Sequence, residues 1–288
     1  MISEDKFGLR PLWDACLEIY KEVAKICEKH HLRYYATDGT ALGAVRHKGF
    51  IPWDDDFDIS MPRPDYDRFL QFAKVELPSN LKIVHYRNTP EFRMLFAKVQ
   101  ETREANVLAI EGKIGHELSN GVFIDIFPIE GFPSGKITRI AVRMRNYIIT
   151  RMATWIGARF QHGTVKDKMK CILAFATGLF CPQLKTTKGC LDALEMLYKS
   201  VDFENSEYTA RSCSQRTIFR RRPLLKKVWG TPVAAEFDCI NIMLPEDSNA
   251  YLINEFDKFD YHQLPPEKDR VPSHHYGSRC AWWLGPTA

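Results

Sequence analysis

The stretch DGTALGAVRHKGFIPWDDDFDI, from Asp38 to Ile59, crowds four carboxylates, Asp54, Asp55, Asp56 and Asp58, into five positions. Like charges this close repel one another, and the cost is tolerated only where water or a cation neutralises them. Residues two apart on a strand share a face, so a strand here projects Asp54, Asp56 and Asp58 together while Phe57 and Ile59 enter the core. A ridge of hard oxygen ligands, without His or Cys, suits Mg²⁺ or Mn²⁺, ions that in turn bind phosphate oxygens. The competing reading is a solvated acidic turn after Pro52, which would not need apolar residues alternating with the acids.

A second acidic position lies in GVFIDIFP, Gly121 to Pro128, where Asp125 stands among apolar residues. An ionised Asp is costly to bury unless it is paired, hydrogen-bonded or metal-bound, and the last case joins Asp125 to Asp56 and Asp58. Upstream of the acids, Gly39-Thr40 precedes a short helical stretch, Ala41 to Val45. Gly permits close backbone approach, and the amides at a helix start can hold a phosphate. Arg46, His47 and Lys48 follow as three cations able to engage a diphosphate on the side away from the metal; the bland alternative is an ordinary basic turn.

Trp13, Cys16, Leu17, Tyr20, Val23, Ala24 and Cys27 follow helical spacing and predict an amphipathic helix over residues 11–30. Short β-type segments recur at 33–37, 57–61, 81–86, 93–100 and 121–126, with a helix over 65–74 opened by Pro64. After Gly131 the pattern changes to long helices over 135–160, 166–180 and 187–200. From about Phe237 it becomes short segments punctuated by Pro245, Pro265, Pro266 and Pro272. The expectation is an α/β (α+β) chain in three parts. Residues 1–133 form a mixed-sheet core and 134–235 a basic helical appended region; 236–288 form a loop-rich segment packing back on the core.

The 288 residues carry a net charge of only +4, which argues against wholesale nucleic-acid binding. Between Lys136 and Lys170, however, nine Lys or Arg face one acid, Asp167. A basic helix of this kind, with Ile137, Ile140, Ala141 and Met144 at helical spacing, can lie on an anionic membrane surface. The uncharged run from Cys171 to Leu184 is 14 residues long and contains Pro182, too short to span a bilayer. Acids near the start of the chain, with no apolar run behind them, point to the cytoplasm, with peripheral contact on the inner face of the membrane. The eight cysteines form no CxxC pair and read as small apolar residues. No Asp-x-Asp-x-Asp-Gly loop closed by a Glu is present, which disfavours a calcium-binding interaction protein.

Taken together, Gly-Thr at a helix start, carboxylates at i and i+2, and a third acid on a later strand resemble the polymerase β-like nucleotidyltransferase fold. The run Gly39 to Ile59, continued by Met61-Pro62-Arg63, Asp65-Tyr66 and Phe123 to Pro128, is similar to the LicD family of phosphotransferases. A weaker likeness returns at 237–251 and 264–275. One departure is Phe237-Asp238-Cys239, where relatives usually read Phe-Glu-Gly. The resemblance implies transfer of a phospho-alcohol, typically phosphocholine from CDP-choline, to a sugar hydroxyl of a cell-surface glycan or its lipid-linked precursor, such as lipopolysaccharide or teichoic acid, with release of CMP. Fukutin-related relatives use CDP-ribitol. It makes Asp56 and Asp58 metal ligands, Asp125 the third acid, as ligand, base or both, and Asp54 part of the same substrate-binding motif. A nucleotidyltransferase consuming an NTP with the same carboxylates is the alternative.

Overall fold

The first helix, α1 (Arg10–Lys29), follows from its stripe of apolar residues: Trp13, Cys16, Leu17, Tyr20, Val23 and Cys27 are all buried. The Asp5 carboxylate accepts from the amides of Leu9 and Arg10 at 2.7 and 3.0 Å, satisfying donors that the helix start leaves open. The chain then forms β1 (Tyr35–Ala36), α2 (Asp38–His47), β2 (Asp58–Pro62), α3 (Arg63–Glu76), β3 (Leu81–Val84), β4 (Ala97–Glu101), β5 (Ala105–Val107) and β6 (Phe123–Phe132). Beyond these lie α4 (Lys136–Ala158), α5 (Thr187–Tyr198), β7 (Tyr208–Arg211), β8 (Leu224–Leu225), β9 (Val233–Phe237), β10 (Ile240–Leu244), α6 (Ser248–Glu255) and β11 (Trp283–Pro286). The computed structural model describes residues 5–102, 105–107, 121–158, 182–211, 223–257, 260–272 and 283–286.

A mixed seven-stranded sheet runs in the order β1-β2-β6-β4-β3, and β7 joins it beside β6 with β8 at its outer edge. β6 is the axis. It pairs parallel with β2, antiparallel with β4 over residues 123–126, and antiparallel with β7 over 129–132. Pro128, which has no amide hydrogen to give, falls in the gap where neither β4 nor β7 pairs with β6. α1 and α3 pack on each other and on β6. The core beneath them includes Trp13, Ile59, Tyr66, Phe69, Val99 and Ile126.

The region after residue 133 is more than an appendage of helices. It supplies β7 to the main sheet, and the loop-rich end holds the β9–β10 hairpin and α6. The strands β7, β9 and β10 are four or five residues long, and β9 exposes Val233 and Ala234 as well as Glu236, so alternation was too short to stand out. The expected helix 166–180 and residues 171–181 of the uncharged run lie outside the described residues, as do two further features of the sequence, a basic cluster at Arg216 and Arg220-Arg221-Arg222 and the adjacent pair His274-His275.

One buried ion network ties the layers together. Arg63, at the start of α3, reaches Glu130 of β6 with Nε to Oε2 at 2.9 Å, Glu195 of α5 at 3.5 Å and Asp67 at 3.3 Å. Glu195 also engages Tyr86, Arg87 and Lys199. Next to Glu130, Gly131 is required by packing: a Cβ there would stand 2.5 Å from the carbonyl oxygen of Val201 and 2.8 Å from that of Asp202, both backbone atoms unable to yield. Arg63→Met leaves Glu130 and Glu195, 2% and 3% exposed, without their shared cation. It is expected to cost about 3–5 kcal/mol in urea unfolding, far more than an exposed pair would.

Candidate active site

The parallel pairing of β2 with β6 sets Asp58 opposite Asp125, and residues in register project to the same side of a sheet. The Phe57 carbonyl accepts from the Asp125 amide at 2.9 Å, and the Asp58 carbonyl accepts from Thr37 at 3.0 Å. Thr40, in the first turn of α2, acts through its hydroxyl, which accepts from the Asp58 amide at 2.8 Å. A helix start, two strands and their register thus fix the two acids with respect to one another.

β2 begins only at Asp58, so Asp54, Asp55 and Asp56 lie in the preceding loop instead of on a continuous strand ridge. That loop is held from below. The Trp13 indole donates to the Asp54 carbonyl at 2.8 Å and stacks on Phe50 at 5.0 Å, while Phe57 and Phe237 meet Phe50 edge-on. The Asp54 carboxylate lies against Gly39, where a Cβ would come within 2.1 Å of Oδ2. Gly39 is therefore needed for the approach of a side chain from its own chain. The amides of Gly39 and Thr40 lie in the first turn of α2, where the helix itself supplies no acceptor.

The field at this end of the sheet is strongly acidic. Burial pushes the Asp58 carboxyl well above the usual range, and the charges of Asp56, Asp38, Asp125 and Asp54 push it further. Such a group favours either a proton or a nearby cation. The donors are hard oxygens only, the chemistry that suits Mg²⁺ or Mn²⁺, and Asp56, Asp58 and Asp125 are the carboxylates that would have to converge to hold one. Among the described residues no group of three His, Cys, Asp or Glu side chains is arranged to hold a metal ion as it stands.

Two cations that the sequence did not single out answer these acids. Lys98 on β4 lies across from Asp125, with Nζ to Oδ1 at 3.2 Å, and its ammonium sits 3.4 Å from the centre of the Phe123 ring. Arg211 on β7 grips Asp38 through both Nη atoms at 2.5 and 2.6 Å and reaches Glu255 at 3.0 Å. Asp38 takes a left-handed backbone, φ 49°, and its amide donates to the Tyr251 hydroxyl at 3.0 Å. The signal for Lys98 was visible in retrospect: a Lys in the middle of the apolar run Leu95 to Val99 needs a partner.

Arg46, His47 and Lys48 close the other end of α2, roughly 10 Å along its axis from Gly39. The Arg46 guanidinium donates to the carbonyls of Tyr261 and Gln263, both at 3.1 Å, and so fastens the C-terminal segment. Burial and the adjacent Arg46 lower the His47 pKa to about 4, and its ring meets Trp53 edge-on. Lys48 is exposed and ends the helix with φ 58°. Its carbonyl accepts from the Asp238 amide at 2.8 Å. At that hairpin turn it is Asp238 that takes the left-handed backbone, φ 51°, and the following Cys239 does not.

Removing the ammonium opposite Asp125 tests how tightly the two groups are coupled. Lys98→Met is expected to lower stability by about 3 kcal/mol, and the double variant with Asp125→Asn to recover part of that loss. Additive losses in thermal or urea unfolding would show that the pair is not coupled.

Residues 31–141 match the LicD/FKTN/FKRP nucleotidyltransferase domain. Over 275 residues the chain is 25% identical to the lipopolysaccharide cholinephosphotransferase LicD of Haemophilus influenzae, covering 93% of this chain and 97% of that protein. Shorter stretches of 54 and 48 residues are 41% and 42% identical to uncharacterised proteins of Rickettsia typhi and Rickettsia prowazekii, covering 19% and 17% of this chain and 18% of each of those proteins. Asp38, Asp54, Asp56, Asp58, Lys98 and Asp125 all fall within the matched residues, so the part of the chain that carries these groups is the part similar to the LicD/FKTN/FKRP nucleotidyltransferase domain.

Proposed function

We propose that the protein transfers a phospho-alcohol, foremost phosphocholine from CDP-choline, to a sugar hydroxyl of a cell-surface glycan or its lipid-linked precursor, releasing CMP. The observation that carries this reading is the register of Asp58 on Asp125 inside an acidic field, in a domain whose full-length relative is named a lipopolysaccharide cholinephosphotransferase. The likeness to that relative along 93% of this chain supports a transferase, with the donor, the alcohol and the acceptor argued from the site.

Mg²⁺ or Mn²⁺ bound by Asp56, Asp58 and Asp125 would supply charge neutralisation for the diphosphate as the bond to CMP lengthens. The chain's own groups do the rest. The first-turn amides of Gly39 and Thr40 bind the nucleotide phosphate, and Thr40 keeps Asp58 in place through its backbone. Asp125, ionised, accepts the proton of the incoming sugar hydroxyl, while Lys98 holds its Oδ1. Asp54 borders the phosphate subsite at Gly39. Arg46 steadies residues 261–263 over the end of α2, and Lys48 offers an exposed cation there for the leaving nucleotide.

Asp56→Asn and Asp58→Asn are expected to fold normally and to release CMP from CDP-choline more than a hundredfold more slowly, the loss of roughly 3–5 kcal/mol of transition-state stabilisation. The assay uses purified protein with Mg²⁺, a panel of CDP-alcohols and candidate glycolipids. Turnover of CTP in place of every CDP-alcohol would overturn the donor assignment, and wild-type rates in either variant would remove the metal role.

A further inference from the structure

α4 has two apolar faces. One is turned inward: Met152 and Ala153 are buried and pack with Cys190 of α5, and Val142 and Ile149 lie against the cluster of Tyr86, Phe132 and Leu194. The opposite face carries Ile137, Ile140, Met144 and Ile148, which are 83%, 60%, 55% and 47% exposed. At 100° per residue these four side chains fall within an arc of about 80°, a continuous stripe along three turns. A solvated helix normally keeps its outward face polar, and several large apolar residues side by side on an exposed face mark a contact surface.

The charge beside the stripe says what kind of surface it meets. From Lys136 to Ala158 the helix has five basic residues, Lys136, Arg139, Arg143, Arg145 and Arg151, and no acid. Arg139 is engaged inward, donating to the Pro133 carbonyl at 2.6 Å and lying over the Tyr208 ring. Lys136, Arg145 and Arg151 are exposed, the first two bordering the stripe and Arg151 lying along it. Apolar side chains set between long cationic ones match the interface of a bilayer, where the apolar groups enter the acyl boundary and the cations meet anionic headgroups. No helix among the described residues is long and apolar enough to cross a membrane, so this contact lies on the surface.

We infer that the outward face of α4 docks the protein on an anionic lipid surface. The inference rests on this helix alone and stands apart from the identity of the donor or acceptor. All four apolar residues are exposed, so Ile140→Ser, Met144→Ser and Ile148→Ser leave the core untouched, as does Arg145→Gln.

The test is sedimentation of the full chain with vesicles of mixed phosphatidylglycerol and phosphatidylcholine, and with vesicles of phosphatidylcholine alone. The expected result is binding to the anionic vesicles only, lost in high salt, weakened at least tenfold in the triple Ser variant and about fivefold in Arg145→Gln. Failure to bind anionic vesicles overturns the inference, as does equal binding by wild type and triple Ser variant, or equal binding to both vesicle types. Size-exclusion chromatography supplies the remaining outcome: a dimeric wild type and a monomeric triple Ser variant would assign the stripe to a second copy of the chain and overturn the membrane reading.

Discussion

The parallel pairing of β2 with β6 is the constraint on which the site depends. Asp58 and Asp125 are 67 positions apart in the chain, and only the register of these two strands makes them neighbours. A slip of one residue would turn one carboxylate to the opposite face, into the layer of Ile59, Ile126 and α3, where a charge without a partner is costly. The register is anchored from both sides: Phe57 receives the Asp125 amide, and Thr40 receives the Asp58 amide. The apolar alternation of both strands, with Ile59, Met61, Ile124 and Ile126 all buried, makes the slipped arrangement costly.

Acids gathered in this way must be compensated, and the fold does so with cations from distant parts of the chain. Lys98 comes from the strand on the other side of β6 and sits beside the Phe123 ring, which shields its charge from water while leaving it opposite Asp125. Arg211 comes from β7, far along the chain, and bridges Asp38 at the start of α2 to Glu255 at the end of α6. Asp38 adds its charge to the field at Asp58, so Arg211 tempers that field as well as joining three elements. The helical middle of the chain, through β7 and through Glu195 at Arg63, is therefore part of the frame that holds the acids.

Much of the core was legible beforehand. The helix of residues 11–30 is α1, the strand segments at 57–61, 81–86 and 121–126 overlap β2, β3 and the start of β6, and Pro64 lies at the start of α3. These elements are long or strongly periodic, and their local pattern agrees with their final environment. The acidic ridge was legible only in part, because Pro52 and Trp53 turn the chain and leave Asp54 and Asp56 in a loop. The apolar residues of α4 illustrate the opposite limit. Ile137, Ile140 and Met144 have helical spacing, but spacing alone does not say whether a face is covered, and it is the face of Val142, Ile149 and Met152 that meets α5 and the sheet.

The sequence by itself determined the kind of chemistry available: hard carboxylates without soft ligands, a Gly-Thr helix start beside them, and a buried Asp elsewhere in need of a positive partner. Those are properties of residue types and of spacing over a few positions, which local physics fixes. Only the tertiary structure decided which partner each acid meets. Lys98 stands opposite Asp125, Arg211 holds Asp38, and Arg46 turns to the carbonyls of residues 261 and 263. Such pairings join residues as much as 217 positions apart. Strand order and register set them, and no short window of sequence contains that information.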